Sequence, residues 1–294
     1  MNLTAYRPFL FAVLLVLFWP MAFPVTKLGI RYFSPEGLLV FRFLLAALAM
    51  GAYLLWKQYP LPRRADLPRL FLSGMLGVFG FVYFINLASE TLPAGEISFL
   101  VAINPLYLVL HNALTKAQPV TRRIVLGSFV SLSGVGLITL TGPELVIEIG
   151  MLYAILSGAC FAANMVVQKP LFVHYPVAMV GAYLPIMAAI GALPLLIPHL
   201  HELSTETPWQ GVAIIIFLAL ISTALGFLVW SYLIKSLTQA QASGLVYFLP
   251  FSASLSAIPI LGEQMPISSW LGGALIVAGS VITHLHRRRR RTPA

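Results

Sequence analysis

The sequence predicts an all-α polytopic membrane protein: ten transmembrane helices in two inverted five-helix repeats. Three observations predict it. Hydrophobic residues make up 59% of the 294-residue chain and charged residues only 9%. A soluble domain carries about 25% charged residues, so this chain could not cover a water-facing surface. The apolar residues gather into ten runs, each near the roughly 20 residues that a helix needs to cross a bilayer. The second half of the chain also matches the first after a shift of 145 positions.

The ten runs fall at 8–30, 35–56, 67–89, 94–114, 121–141, 149–168, 176–198, 209–234, 240–261 and 267–286. All are expected to be helices, because a backbone facing lipid must satisfy its own hydrogen bonds. The first follows Arg7 and carries Trp19-Pro20. It is longer than a signal h-region and lacks a small-x-small cleavage site, so it reads as a retained span. The second carries Arg42, the third Tyr83 and Asn86, and the fourth Glu96, Asn104, Pro105 and Tyr107. The sixth carries Cys160 and Asn164, the eighth Trp230, and the ninth Tyr247 and Pro250. Cys160 is the one cysteine, which excludes an intrachain disulfide and a cysteine metal site. The loops are short and leave no room for a soluble domain.

The charges orient the spans. With the N-terminus in the cytoplasm, fifteen of the eighteen Lys and Arg lie in cytoplasmic segments. The external loops hold acids instead, at Glu90, Glu144, Glu148, Glu202, Glu206 and Glu263. This is the positive-inside pattern, and ten spans put both termini inside. The net charge of +9 therefore reads as orientation beside an anionic bilayer, not as a nucleic-acid surface.

Under the 145-residue shift Pro105 falls on Pro250, Gly127 on Gly272 and Gly134 on Gly279. Further upstream, Gly80-Phe81 meets Gly226-Phe227 at a shift of 146. The halves are residues 1–145 and 146–294. Five spans is an odd number, so the second half is expected upside down relative to the first. Inverted repeats of this kind characterise secondary transporters whose substrate site lies near the midplane. Pro105 and Pro250 then read as paired hinges, expected to bend the fourth and ninth spans at equivalent depths.

Ionisable groups inside a membrane are expensive to bury and mark function first. Arg42 is the deepest. It is read either as half of an Arg42–Glu96 ion pair or as a cation offered to a substrate carboxylate, with Glu96 free to carry a coupling proton. Lys27 and Lys169 read as interfacial, and Glu263 as a helix-packing or interfacial residue. Trp19, Tyr83, Tyr107, Trp230 and Tyr247 are too deep for an interfacial belt, so they either pack between helices or line a cavity. Asn86, Asn104 and Asn164 are read as interhelical glue or as cavity amides. Together these residues suit a small polar solute with an apolar part.

Two stretches resemble the EamA family of the drug/metabolite transporter superfamily. They are SPEGLLVFRFLLAALAM (Ser34 to Met50) and ASGLVYFLPFSASLSAIPILGEQMPISSWLGGALIVAGSVI (Ala242 to Ile282). At the place of Gly262-Glu263 the first half has Ala117-Gln118. The resemblance implies ten helices in two repeats and the export or exchange of metabolites, often amino acids, in a bacterial inner membrane. It implies no cofactor, and a monomer or weak dimer is expected. A drug or nucleotide-derivative carrier is the alternative, although a polyanion should need more cations than Arg42. A membrane enzyme or structural subunit is the other. The chain lacks the phosphate-binding loop GxxxxGK[ST], HExxH and G-x-S-x-G, which argues against direct ATP use and hydrolytic chemistry.

Overall fold

The computed structural model describes residues 3–115, 121–140, 148–204, 207–236 and 239–285. Among them there is no strand. The chain order is α1 (Leu3–Phe18), α2 (Ala22–Gly29), α3 (Pro35–Trp56), α4 (Leu67–Gly74), α5 (Phe81–Thr91), α6 (Ala94–Val101), α7 (Asn104–Leu114) and α8 (Arg122–Leu140). It continues with α9 (Ile149–Gln168), α10 (Leu171–His174), α11 (Val177–His199), α12 (Trp209–Ile216), α13 (Gly226–Ser236), α14 (Gln239–Leu261) and α15 (Ile267–Leu285). Among the described residues six stretches are long and apolar enough to cross a membrane, including Phe9–Gly29, Pro35–Trp56, Arg64–Thr91 and Trp209–Trp230. The expected fourth, fifth, ninth and tenth spans are also helical, as α6 with α7, α8, α14 and α15.

Local signals explain the ends. Ser34 caps α3, its Oγ accepting from Gly37 N at 3.0 Å, and Pro35 sits at the first helical position, where a missing N–H costs nothing. Gly262, with φ +70°, ends α14 in the left-handed region that glycine tolerates. Two π-helical stretches interrupt the regular repeat, Met75–Gly80 between α4 and α5 and Phe217–Leu225 between α12 and α13. The first ends on Gly80 and the second directly before Gly226, the glycines of the Gly-Phe pairs that the sequence shift aligns. Such wide turns recur at functional sites, because they leave carbonyls poorly paired.

Helices pack in a reciprocal pattern. α3 lies on α11, α6 on α14 and α8 on α15, while α5 packs on α9 and α1 on α13. The α8–α15 contact is the closest. Gly134 faces Gly272, and Gly279 faces Gly127, with Ser131 Oγ donating to Ile276 O at 3.0 Å. A Cβ on Gly134, Gly272 or Gly279 would fall inside contact distance of the opposing backbone. Small residues let helices approach this closely where lipid supplies no hydrophobic drive.

Two spans are broken in their middle. Trp19–Met21 separates α1 from α2, and Ala102–Ile103 separates α6 from α7. Each break is near a proline, whose ring clashes with the preceding turn and removes a donor, at about 3 kcal/mol in a helix interior. The expectation of equal bends at Pro105 and Pro250 meets a difference here. α14 runs as one helix through Pro250, whose carbonyl accepts from Ser254 Oγ at 2.9 Å and from Ser98 Oγ at 3.2 Å. The serines that follow Pro250 are thus occupied. Ser252 Oγ donates to Val16 O at 2.6 Å, the carbonyl that Pro20 leaves without its helical partner.

Candidate functional site

The breaks in the first and fourth spans border one cavity of about 150 Å³. Its walls come from both halves of the chain. The first span contributes Trp19, Pro20, Phe23 and Thr26, α3 contributes Arg42, and α5 contributes Phe81, Val82 and Ile85. The fourth span adds Ser98, Val101, Ala102 and Asn104, and α9 adds Phe161 and Met165. Ser222, Trp230, Leu249 and Pro250 complete it. The lining is mostly aromatic and aliphatic, with a few convergent polar groups, which is the usual make-up of a small-molecule site.

Arg42 is its one charge among the described lining residues. It is 6% exposed, and its Nε donates to Thr223 Oγ1 at 2.8 Å and its Nη2 to Ser222 Oγ at 3.2 Å. Thr223 in turn donates to Leu218 O, five residues back along the π-helical turn, at 2.8 Å. The wide turn thereby presents two adjacent hydroxyls to the guanidinium. No carboxylate lies within ion-pair distance of Arg42 among the described residues. A buried cation held only by neutral groups retains most of its attraction for an incoming anion. Thr26 also lines the cavity, 1% exposed, and its Oγ1 has no hydrogen-bond partner among the described residues.

The Arg42–Glu96 pair does not form. Arg42 points to the turn between α12 and α13, whereas Glu96 accepts from Ser269 Oγ at 2.6 Å, at the start of α15. Arg42 sits on α3 and Glu96 on α6, and each is turned toward a different neighbour. Trp19, Arg42, Asn104, Trp230 and Pro250 are the sequence candidates that reach the cavity. Trp19 and Trp230 pack on one another with centroids 5.9 Å apart. Four other candidates are bonded elsewhere. Tyr83 Oη donates to Glu36 Oε1 at 2.8 Å, Asn86 Nδ2 to Pro35 O at 2.8 Å, and Tyr107 Oη to Ile155 O at 3.0 Å. Asn164 accepts from Ser73 Oγ. These are contacts between helices and leave the cavity to others. Tyr247 and the Pro105 ring lie outside the described side chains.

Sequence reasoning passed over Ser222, Thr223, Thr26 and Ser98. The signal for the first two was present, as a Ser-Thr pair inside the apolar run from 209 to 234. It also read Lys27 as interfacial and Glu263 as a helix-packing or interfacial residue, without pairing the two. In the structure Lys27 Nζ donates to Leu92 O and lies 3.5 Å from Glu263 Oε1. Both Glu263 oxygens accept from Ala94 N at 3.0 Å. The ends of α2, α6 and α14 are therefore tied together. No cluster of three or more metal-ligating side chains occurs among the described residues.

Comparison with known proteins agrees with this architecture. A probable terminal-alkyne amino-acid exporter of Streptantibioticus cattleyicolor is 29% identical, over 96% of this chain and 95% of its own length. A probable amino-acid metabolite efflux pump of Salmonella typhimurium is 24% identical, over 96% of each chain. An uncharacterized transporter of Bacillus subtilis, YdfC, is 26% identical over 92% of this chain and 89% of its own. A solved structure at 20% identity superposes with a TM-score of 0.63, covering 98% of this chain and 99% of that one, and so shares the fold. The EamA-like transporter family matches twice, over residues 7–140 and 148–285, and the chain belongs to that family and is a multi-pass membrane transporter of small molecules.

Proposed function

We propose that this chain exports amino acids or amino-acid-like compounds by alternating access between two inverted five-helix repeats, residues 1–145 and 146–294. One observation carries the reading: a buried Arg42, with no carboxylate partner among the described residues, in a mostly apolar cavity walled by both halves. A single guanidinium suits one carboxylate, which it can hold with two parallel N–H donors. The aromatic wall suits an apolar side chain, contributed by Trp19, Trp230 and the phenylalanines. The names of the Streptantibioticus and Salmonella relatives support the same substrate class. A nucleotide derivative would bring two or more negative charges to a cavity whose described lining offers one positive charge.

Asn104 is assigned to substrate contact, and Pro105 and Pro250 to shaping the fourth and ninth spans as the two repeats move. Glu96, half-buried on Ser269, is the candidate carrier of a coupling proton; without it the substrate gradient drives export. The protein acts as a monomer or weak dimer in a bacterial inner membrane, with both termini cytoplasmic, a placement that the positive-inside count supports. The test is transport in proteoliposomes with a panel of L-amino acids, each with and without a pH gradient. Saturable flux of at least one amino acid is expected. No flux of any would overturn the reading.

A further inference from the structure

A proline within a helix removes the N–H that would reach the carbonyl four residues back. Each such proline therefore loosens one acceptor, and the prolines at the two breaks around the cavity, Pro20 and Pro105, loosen one each. They meet different fates. Pro20 loosens Val16 O, and Ser252 Oγ takes that carbonyl up at 2.6 Å. Pro105 loosens Val101 O. The same break leaves Ala102 O aside, because Leu106 N turns to Ile103 O at 2.8 Å. Among the described residues no backbone or side-chain donor reaches either carbonyl. Both residues line the cavity. Pro185 loosens Gly181 O within α11 in the same manner, but neither borders the cavity.

Three further features single out this pair. Val101 is the last residue of α6, so its carbonyl lies at the negative end of that helix. Gly158 of α9 lets that helix pass close to the carbonyl, since a Cβ there would stand 3.1 Å from Val101 O. No Asp or Glu lines the cavity among the described residues. A carboxylate there would pair with Arg42 in the empty carrier and compete with the substrate. Carbonyl dipoles attract a cation without neutralising the arginine, and helix C-terminal ends and unwound carbonyls serve this purpose in other carriers with discontinuous helices.

We propose that the Val101 and Ala102 carbonyls form the ammonium half of a zwitterion site whose carboxylate half is Arg42, and that Pro105 keeps the Val101 acceptor open. The assignment rests on the amino-acid reading above. Its occupant is an α-amino acid with a large apolar side chain, held by its carboxylate at Arg42 and by its ammonium group at the break between α6 and α7.

The test compares binding of L-phenylalanine with that of 3-phenylpropionate, which keeps the ring and carboxylate and lacks the amine. Purified full-length wild type and Pro105→Ala are titrated with each by calorimetry, and folding is checked by circular dichroism and gel filtration. The substitution supplies an N–H to Val101 O. L-Phenylalanine should bind at least tenfold more weakly, while 3-phenylpropionate should change by less than twofold. Should Pro105→Ala not fold, Gly158→Ala, which crowds the same carbonyl, should give the same selective loss. Equal weakening of both ligands would mean that the proline acts through helix shape, and the assignment would fall. No weakening of either, or wild type binding the des-amino acid as tightly as the amino acid, would also overturn it. Wild type binding neither L-phenylalanine nor any other amino acid of the transport panel would instead bring down the amino-acid reading, and the assignment with it.

Discussion

The α8–α15 pair and the α6–α14 pair are each built from segments that the 145-residue shift aligns, yet the first is closed and the second borders an open cavity. The difference lies in what the backbones meet. In α8 and α15 the aligned glycines face each other across the contact, Gly134 on Gly272 and Gly127 on Gly279, and backbone touches backbone. In α6 and α14 the contact is kept by hydroxyls and by charge. Ser98 reaches Pro250 O, and Glu263 holds Ala94 N. Below that, α6 stops at Val101 while α14 continues. Glycine contacts leave no space to change, whereas a broken helix with loose carbonyls leaves a place for a solute. A repeat can therefore supply a rigid support and a working site from matched segments.

The largest expected effect separates these two regions by bulk alone. Gly279→Leu drives a side chain into the Gly127 backbone, an overpacking that costs about 3 kcal/mol or more. It should abolish recovery of monodisperse protein from detergent extracts. Ala102→Leu adds the same bulk at the cavity. It should leave the yield near wild type by fluorescence-detected gel filtration and stop transport. Equal yields for the two variants would erase the distinction between support and site.

Arg42→Ala should come next. Losing a charge-assisted contact to a carboxylate costs about 1.5–3 kcal/mol, or roughly ten- to a hundredfold in affinity, read as the rise in half-saturating substrate. Arg42→Lys should recover little of it, because an ammonium cannot reproduce the guanidinium fork. Transport by Arg42→Ala at the wild-type rate would remove this residue from the site.

Ser252→Ala sharpens the contrast between the two broken spans. It leaves Val16 O without a donor inside the bundle, at a cost of about 1–3 kcal/mol. Thermal unfolding should move down by a few degrees, while the preference between an amino acid and its des-amino analogue stays the same. A change in that preference would mean that the first span's carbonyl also belongs to the site.

The smallest effect is expected at the tie between α2, α6 and α14. Glu263→Gln removes the charge opposite Lys27 but keeps an oxygen for Ala94 N. Lys27 also retains Leu92 O. A partly exposed pair of this kind contributes about 1 kcal/mol or less, so transport should change by no more than about fivefold. The sign is informative: faster turnover means that the tie holds one access state, and a loss of stability without a rate change means that it only joins helices.

Much of the fold was legible in the sequence for a simple reason. The bilayer demands about 20 apolar residues per helix and sorts Lys and Arg by side, and both demands are met by residues close together in the chain. The ten runs, the helical class and the family resemblance follow from such local facts. Candidate site residues were legible by type, since Arg42, Trp19, Trp230 and Asn104 are unusual at depth in an apolar span. Their partners were not. Arg42 and Thr223 are 181 positions apart, and Lys27 and Leu92 are 65 apart, so no window of sequence contains both members.

Composition and spacing alone determined the membrane, the helices and the internal match between the halves, because those depend on hydrophobicity and period. Tertiary structure decided which way each polar side chain turned. It sent Tyr83, Asn86, Tyr107 and Asn164 to neighbouring helices, kept Arg42 free of Glu96, and gave Val16 O a serine from α14 while Val101 O has no donor among the described residues. A freed carbonyl is written in the sequence wherever a proline stands in a helix. Whether another helix brings a hydroxyl to it depends on rotation and contact across the bundle, which no local pattern encodes.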